Sequence, residues 1–187
     1  AHFVARKDYR KTYDVYKDDT LLNRQPKKSR KIFVCLDEQR GQYLVDGLVA
    51  MDFPLSSGVK AYPTKTGDYA VISKKEDHTS NLYGKMYDAE GKCINYNAES
   101  TDPIPEGGRF DGSPMPYWQR LTNAGLGLHV GKVRRHPVSH GCVRLPRNVA
   151  EILYRQTSIG TPVTIQKTPL PVPEIQKVPA GQQHKGV

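Results

Sequence analysis

A chain of 187 residues, 37% of them hydrophobic, has room for one domain with a sizeable core and polar extensions. No stretch is long and apolar enough to cross a bilayer, no signal peptide is visible in it, and no nucleic-acid-binding motif appears. The net charge of +9 is uneven: residues 1–30 hold nine Lys/Arg against four Asp, and residues 119–155 hold seven against Glu151 alone, a basic field suited to an anionic substrate.

In chain order, residues 1–30 read as a basic arm or linker with a short helix near Asp18–Asn23, closed by Gln25-Pro26. From Lys31 the pattern changes to short strands. Lys31–Leu36 comes first, Gln42–Asp46 follows a turn at Arg40-Gly41, and Leu48–Phe53 follows a turn at Asp46-Gly47. Tyr69–Ser73 reads as another strand, and Asn95–Met115, rich in Pro, Gly and Asp, as a long loop. Leu126–His129 reads as a strand. A helix starts near Pro146, a residue suited to a first turn, with Val149, Ile152 and Leu153 on one apolar face. Pro162–Gln166 is a late strand, and residues 168–187, with four prolines, an extended tail. Sixteen Gly and fourteen Pro oppose long helices, so the fold class is mainly β.

Of three cysteines, Cys35 sits in an apolar run and reads as a small buried hydrophobe, and Cys93 lies in a polar region where a bridge to Cys35 has little support. Cys142 differs. It follows Ser139-His140-Gly141 and stands just before the helix, where Gly141 lets the backbone bend and turns two N–H groups, of Gly141 and Cys142, to one side. A thiol is a poor nucleophile at its free pKa of about 8.5 and needs a base. His140 is close in sequence but its backbone belongs to the bend. His129, thirteen residues before Cys142, could be brought opposite the sulfur by a hairpin-like return. His136 precedes Pro137 and reads as a solvated loop residue. A zinc site from these histidines and the cysteine is disfavoured by Lys132, Arg134, Arg135 and Arg144 and the lack of a carboxylate. No metal or organic cofactor is called for.

The stretch His129…Ser139-His140-Gly141-Cys142-Val143-Arg144-Leu145 resembles the signature of the L,D-transpeptidases, the YkuD-type cell-wall enzymes. Other parts agree in order: Phe53-Pro54-Leu55-Ser56-Ser57-Gly58, then Tyr62-Pro63-Thr64 through Asp68-Tyr69 (with Lys65 where proline is usual), Met115-Pro116-Tyr117-Trp118, and Gly160-Thr161-Pro162-Val163. The loop between His129 and Ser139 is shorter than in many members. The resemblance covers residues 31–167 as a catalytic domain and leaves out both arms.

The resemblance implies a β-sandwich-like domain of mixed sheets with short helices. It implies Cys142 as nucleophile, His129 as base, and the Val130 carbonyl as the group that orients the imidazole. Gly141 and Cys142 N–H groups would line the oxyanion hole, with Ser139 and His140 holding the turn. Arg144 would support the site through an ion pair or meet a substrate carboxylate, and Tyr117 and Trp118 would wall the donor groove or fill its rim. The implied reaction is ping-pong acyl transfer on peptidoglycan tetrapeptide stems. The thiolate attacks the diaminopimelate–D-alanine bond, D-alanine leaves, and the thioester passes to an amine of a second stem (a 3→3 cross-link) or of an envelope protein. Water as acceptor makes an L,D-carboxypeptidase, and D-amino-acid exchange is a further outcome. The implied location is periplasmic or extracellular, in a bacterial cell envelope. A non-catalytic cell-wall-binding module and a cysteine peptidase of another type are the competing readings.

Overall fold

The computed structural model describes residues 8–26 and 29–170; the ends of both expected extensions, residues 1–7 and 171–187, lie outside the described residues. A 3-10 turn, Tyr9–Lys11, leads into strand β1 (Tyr16–Lys17) and helix α1 (Asp19–Asn23). Asp18 starts that helix by accepting a 3.0 Å hydrogen bond from the Leu21 N–H, as an N-cap carboxylate does. Next come β2 (Arg30–Cys35), β3 (Arg40–Val45) and β4 (Leu48–Pro54), an antiparallel meander. Asp46 and Gly47 have φ of 52° and 80°, the left-handed pair that a two-residue hairpin needs. The turn expected at Arg40-Gly41 falls earlier, at residues 36–39. Gly41 lies inside β3 because the Phe53 ring covers it; a Cβ there would stand 2.5 Å from Phe53 Cε2.

The expected strand Tyr69–Ser73 is two strands in different sheets, β5 (Gly67–Ala70) and β6 (Ser73–Lys75). The expected loop over residues 95–115 is also corrected. It belongs to a three-stranded antiparallel sheet of β7 (Thr79–Tyr87), β8 (Cys93–Glu99) and β9 (Arg109–Pro114), in the order β8-β7-β9. Most of its residues are at least partly exposed, so they carry no in-out alternation to read. The chain closes with β10 (Trp118–Arg120), β11 (Gly127–Val130), β12 (Val143–Leu145), helix α2 (Arg147–Gln156) and β13 (Pro162–Gln166).

The fold is β-sandwich-like, with mixed sheets. One sheet has six strands, β1-β4-β3-β2-β13-β5, in which only β13 and β2 run parallel; a second has four, β12-β11-β10-β6. A single buried cluster takes Ile32, Val34, Tyr43, Met51 and Phe53 from the first sheet, Leu128, Val143 and Leu145 from the second, and Val149 and Leu153 from α2. All three cysteines are free, with Cys35 fully buried.

Residues 9–23, read from composition as arm or linker, pack on this core. Tyr9, Leu21 and Leu22 are buried, and β1 pairs with β4. Arg40, 1% exposed, binds Asp52 at 2.6 Å and also donates to the carbonyls of Thr12 (3.1 Å) and Asp14 (3.0 Å). Burial raises the Asp52 pKa against the opposing pull of Arg40.

Candidate active site

Strands β11 and β12 lie side by side and parallel, with Leu128 beside Val143 and His129 beside Arg144. The return between them is thus a crossover and not a hairpin. Continued by one residue, this register sets Cys142 beside Gly127, so Cys142, Arg144 and His129 share one face with the cysteine diagonal to the histidine. On the other side β10 pairs antiparallel with β11, Gln119 opposite Leu128, which brings Trp118 level with His129 on that same face. Gly127 leaves the space Trp118 fills: a Cβ there would stand 2.5 Å from Trp118 Cη2.

The bend at residues 139–142 is held by the Ser56–Val59 stretch. Gly58 bridges Ser139 and Ser56 bridges Arg144 as short β-bridges. The Val138 and Ser139 N–H groups both donate to the Ser57 carbonyl, at 2.8 and 3.0 Å. No side chain fits at Gly58, since a Cβ would fall 2.1 Å from the Tyr62 carbonyl oxygen and 2.8 Å from Gly141 Cα. Gly141 has a φ of +116°, which L side chains avoid. Thr64 ties the two glycines: its hydroxyl accepts from the Gly58 N–H (2.8 Å) and donates to the Gly141 carbonyl (2.6 Å). Ser139 Oγ donates to the Cys142 carbonyl (2.5 Å) and accepts from the Gly141 N–H (3.1 Å). That last bond alters the expected oxyanion pair. The Gly141 N–H is already engaged, and only the Cys142 N–H has no acceptor among the described residues.

His129 is 6% exposed, and its Nδ1 lies 2.7 Å from the Val130 carbonyl oxygen. A carbonyl only accepts, so Nδ1 carries the proton and Nε2 keeps a free lone pair. Burial is the main force holding the His129 pKa down, to about 4; the Arg144 and His78 charges add to it and the Val130 carbonyl opposes it. The Cys142 thiol donates to the Gly125 carbonyl at 3.2 Å. Burial pushes its pKa above the ordinary thiol value, with Gly127 and Arg144 pulling the other way. At neutral pH the pair is therefore an uncharged imidazole and a thiol.

The His129 shift has a consequence for stability. The unfolded chain protonates this histidine near pH 6.5 and the folded chain only near pH 4, so the group's contribution is complete above pH 6.5 and lost as pH falls toward 4. Urea unfolding at pH 7.5 and pH 4 should lose about 3 kcal/mol more for the parent than for His129→Gln. Equal losses in the two proteins would show that His129 is not buried uncharged.

The remaining expected residues divide. His140 stacks on Tyr83 (4.2 Å between centroids, 14°) and tilts against Tyr62 (4.9 Å), which wedges the bend against the three-stranded sheet. Trp118 lies 6.0 Å from the His129 ring and 5.0 Å from that of His78. Tyr117, just before β10 with a φ of 55°, turns the other way, against Tyr154 of α2 (5.6 Å) and the core. Arg144 is half-buried, its stem runs past Gly131, and its guanidinium makes no ion pair among the described residues. His136 is exposed on the connecting loop. Tyr83 and His78 carried no sequence signal for their contacts, and Thr64, though within the segment that resembles the family, gave none for its bond to Gly141, 77 residues on.

That loop is clasped from outside by the N-terminal segment. Tyr13 Oη donates to the Arg134 carbonyl at 3.1 Å, and the Arg135 guanidinium donates to the carbonyls of Lys11 and Arg10. Ser56 Oγ takes the Arg134 N–H at 2.8 Å.

Cys142, His129, Trp118, His140 and Arg144 line one cavity of about 940 Å³. Its wall carries Lys65, Arg120, Lys132 and Arg144 and no Asp or Glu. The site thus combines a thiol, an uncharged base and a free N–H donor in a cationic pocket, the parts that acyl transfer on an anionic substrate requires.

Residues 29–165 match the model of the YkuD L,D-transpeptidase catalytic domain. Over 121 residues the chain is 31% identical to the probable L,D-transpeptidase 3 of Mycobacterium tuberculosis, covering 61% of this chain and 38% of that protein. Its fold is similar to an L,D-transpeptidase from Mycobacterium smegmatis (TM-score 0.56, 22% identity, 74% of this chain and 58% of that one). It is also similar to L,D-transpeptidase 3 from Mycobacterium tuberculosis in complex with a faropenem-derived adduct (TM-score 0.53, 24% identity, 74% of this chain and 60% of that one). The chain spans less than two thirds of each of these relatives.

Proposed function

The chain belongs to the YkuD family of L,D-transpeptidase catalytic domains, and we propose that residues 31–167 transfer the acyl group of a peptidoglycan tetrapeptide stem through a thioester on Cys142. The observation that carries this reading is the shared face of Cys142, Arg144 and His129, lining a cavity with four cations and no carboxylate. His129 Nε2 takes the thiol proton as sulfur attacks the carbonyl carbon between diaminopimelate and D-alanine. The Cys142 N–H steadies the developing oxyanion. As the C–N bond breaks, the imidazolium returns the proton to the departing D-alanine amine. An amine acceptor, from a second stem or an envelope protein, then attacks the thioester, gives its proton to His129 and frees the thiol. Ser139 and Thr64 act by fixing the bend, and Arg144 by meeting a carboxylate of the stem. None of these steps draws on a cofactor.

Such a substrate places the enzyme in the cell envelope, outside the cytoplasmic membrane. No helix among the described residues is long and apolar enough to cross a bilayer. The test is incubation with defined tetrapeptide muropeptides and mass analysis of the products. Free D-alanine with dimers joined between third residues is the expected result. Tripeptide without dimer would assign water as the acceptor. An unaltered substrate, or cleavage at an L–L bond, would overturn the assignment.

A further inference from the structure

We propose that Lys75, Arg120 and Trp118 form a second subsite, one that binds a free carboxylate of the amine-bearing peptide acceptor. The inference rests on the transpeptidase reading above and adds to it where that second substrate lies.

The strand registers build this subsite. Lys75 of β6 pairs with Trp118 of β10, Trp118 stands level with His129 of β11, and His129 pairs with Arg144 of β12. These four residues form one row across the sheet, on one face, with strands about 4.8 Å apart. Arg120 lies two residues beyond Trp118 and so shares the face. A second hollow of about 540 Å³ opens at this end of the row, lined by Lys75 and sharing His78, Trp118 and Arg120 with the main cavity. Neither Lys75 nor Arg120 makes a side-chain hydrogen bond or ion pair among the described residues. Lys74, by contrast, faces the other way and donates to the carbonyls of Tyr154 and Thr157 at the end of α2. His78 stacks on Trp118, and burial together with the charges of Lys75 and Arg120 lowers its pKa, so it shapes the hollow as an uncharged ring.

The chemistry assigns the occupant. The leaving amine and the entering amine both exchange a proton with His129, so both stand on its side of the sulfur. The entering stem is longer than the departing D-alanine, and it carries free carboxylates several bonds from its amine. The row offers it a base, then an indole platform, then Lys75 roughly two strand spacings, about 10 Å, from the base, with Arg120 one strand over from the base and two residues along. A small D-amino acid has its amine and carboxylate on one carbon and does not reach that far. The subsite thus favours a peptide acceptor over a free amino acid and over water.

Trp118 is the sole tryptophan, so its fluorescence reads the subsite directly. The full chain carrying Cys142→Ser is titrated with the tripeptide L-Ala-γ-D-Glu-meso-diaminopimelate, with the same tripeptide amidated at its carboxylates, and with inorganic phosphate. Lys75→Gln and Arg120→Gln are expected to raise the tripeptide Kd about tenfold together, and amidation to weaken binding to the unsubstituted pair by a similar factor. In the reactive protein the pair of substitutions should lower the ratio of dimer to hydrolysed stem about tenfold at limiting acceptor, a ratio independent of how fast the thioester forms. An unchanged Kd, indifference to amidation, or phosphate binding as tight as tripeptide would overturn the subsite. Absence of any thioester would defeat the transpeptidase reading while the titration still decides the subsite.

Discussion

Cys142→Ala is expected to form no covalent adduct with faropenem and to release no D-alanine from a tetrapeptide stem, while keeping its fold. The loss should be on the order of 10⁴-fold or more, because removing the nucleophile removes the route and not merely a contact. Two other thiols serve as internal controls. Cys35 is fully buried, burial raises its pKa, and its sulfur bonds the Lys167 carbonyl at 3.3 Å. Cys93 opens β8 of the three-stranded sheet, a different sheet from the one that carries the bend. Intact-mass analysis should therefore show one adduct on the parent, none on Cys142→Ala, and one on Cys93→Ser. The bond from Cys142 to the Gly125 carbonyl is a weak thiol donor contact, so thermal unfolding should move by no more than a few degrees. An adduct that persists on Cys142→Ala would remove the cysteine from the chemistry.

His129→Ala is expected to slow acylation by about 10²- to 10⁴-fold, the usual range for a positioned base. The pH dependence is the sharper test. With the imidazole held near 4 and the thiol raised, the two groups stay uncharged between acid and alkaline pH. The proton must then move during attack. The parent's acylation rate should climb through an acid limb near pH 4, level off across neutrality, and climb again above the thiol pKa as free thiolate appears. His129→Ala should lose the plateau and keep only the alkaline rise. A thiolate absorbance near 240 nm at pH 6 in the parent would contradict this, since it would require a standing thiolate–imidazolium pair. A parent rate that is flat from acid to alkaline pH would dismiss the pair altogether.

Local chemistry was legible in the residues, and long-range geometry was not. The turn at Asp46-Gly47 and the helix after Pro146 are set by neighbouring backbone preferences, so the sequence reading places them within a residue or two. The Ser139–Cys142 bend is local in the same way. Other features escaped, each for its own reason. The sheet of β7, β8 and β9 lacks a buried stripe, so its strands resemble loop. The parallel pairing of β11 and β12 depends on which path twelve intervening residues take, and the Ser56–Val59 stretch decides that. The Gly141 N–H was expected to face the substrate, but the Ser139 hydroxyl two residues away accepts it. Tyr117 and Trp118 looked alike as aromatics, and only the backbone turn at the start of β10 sends one to the core and the other to the cavity.

The clasp between the N-terminal segment and the catalytic loop sets what counts as a transferable unit. Recognition of the family begins at residue 29, yet Thr12 and Asp14 supply acceptors to the fully buried Arg40, and Arg10, Lys11 and Tyr13 secure the loop that joins His129 to Cys142. A fragment trimmed to the recognisable stretch would keep every reactive group but strand two buried guanidinium donors and unfasten that loop. Grafting this site onto another scaffold therefore means carrying residues 9–14 along with it.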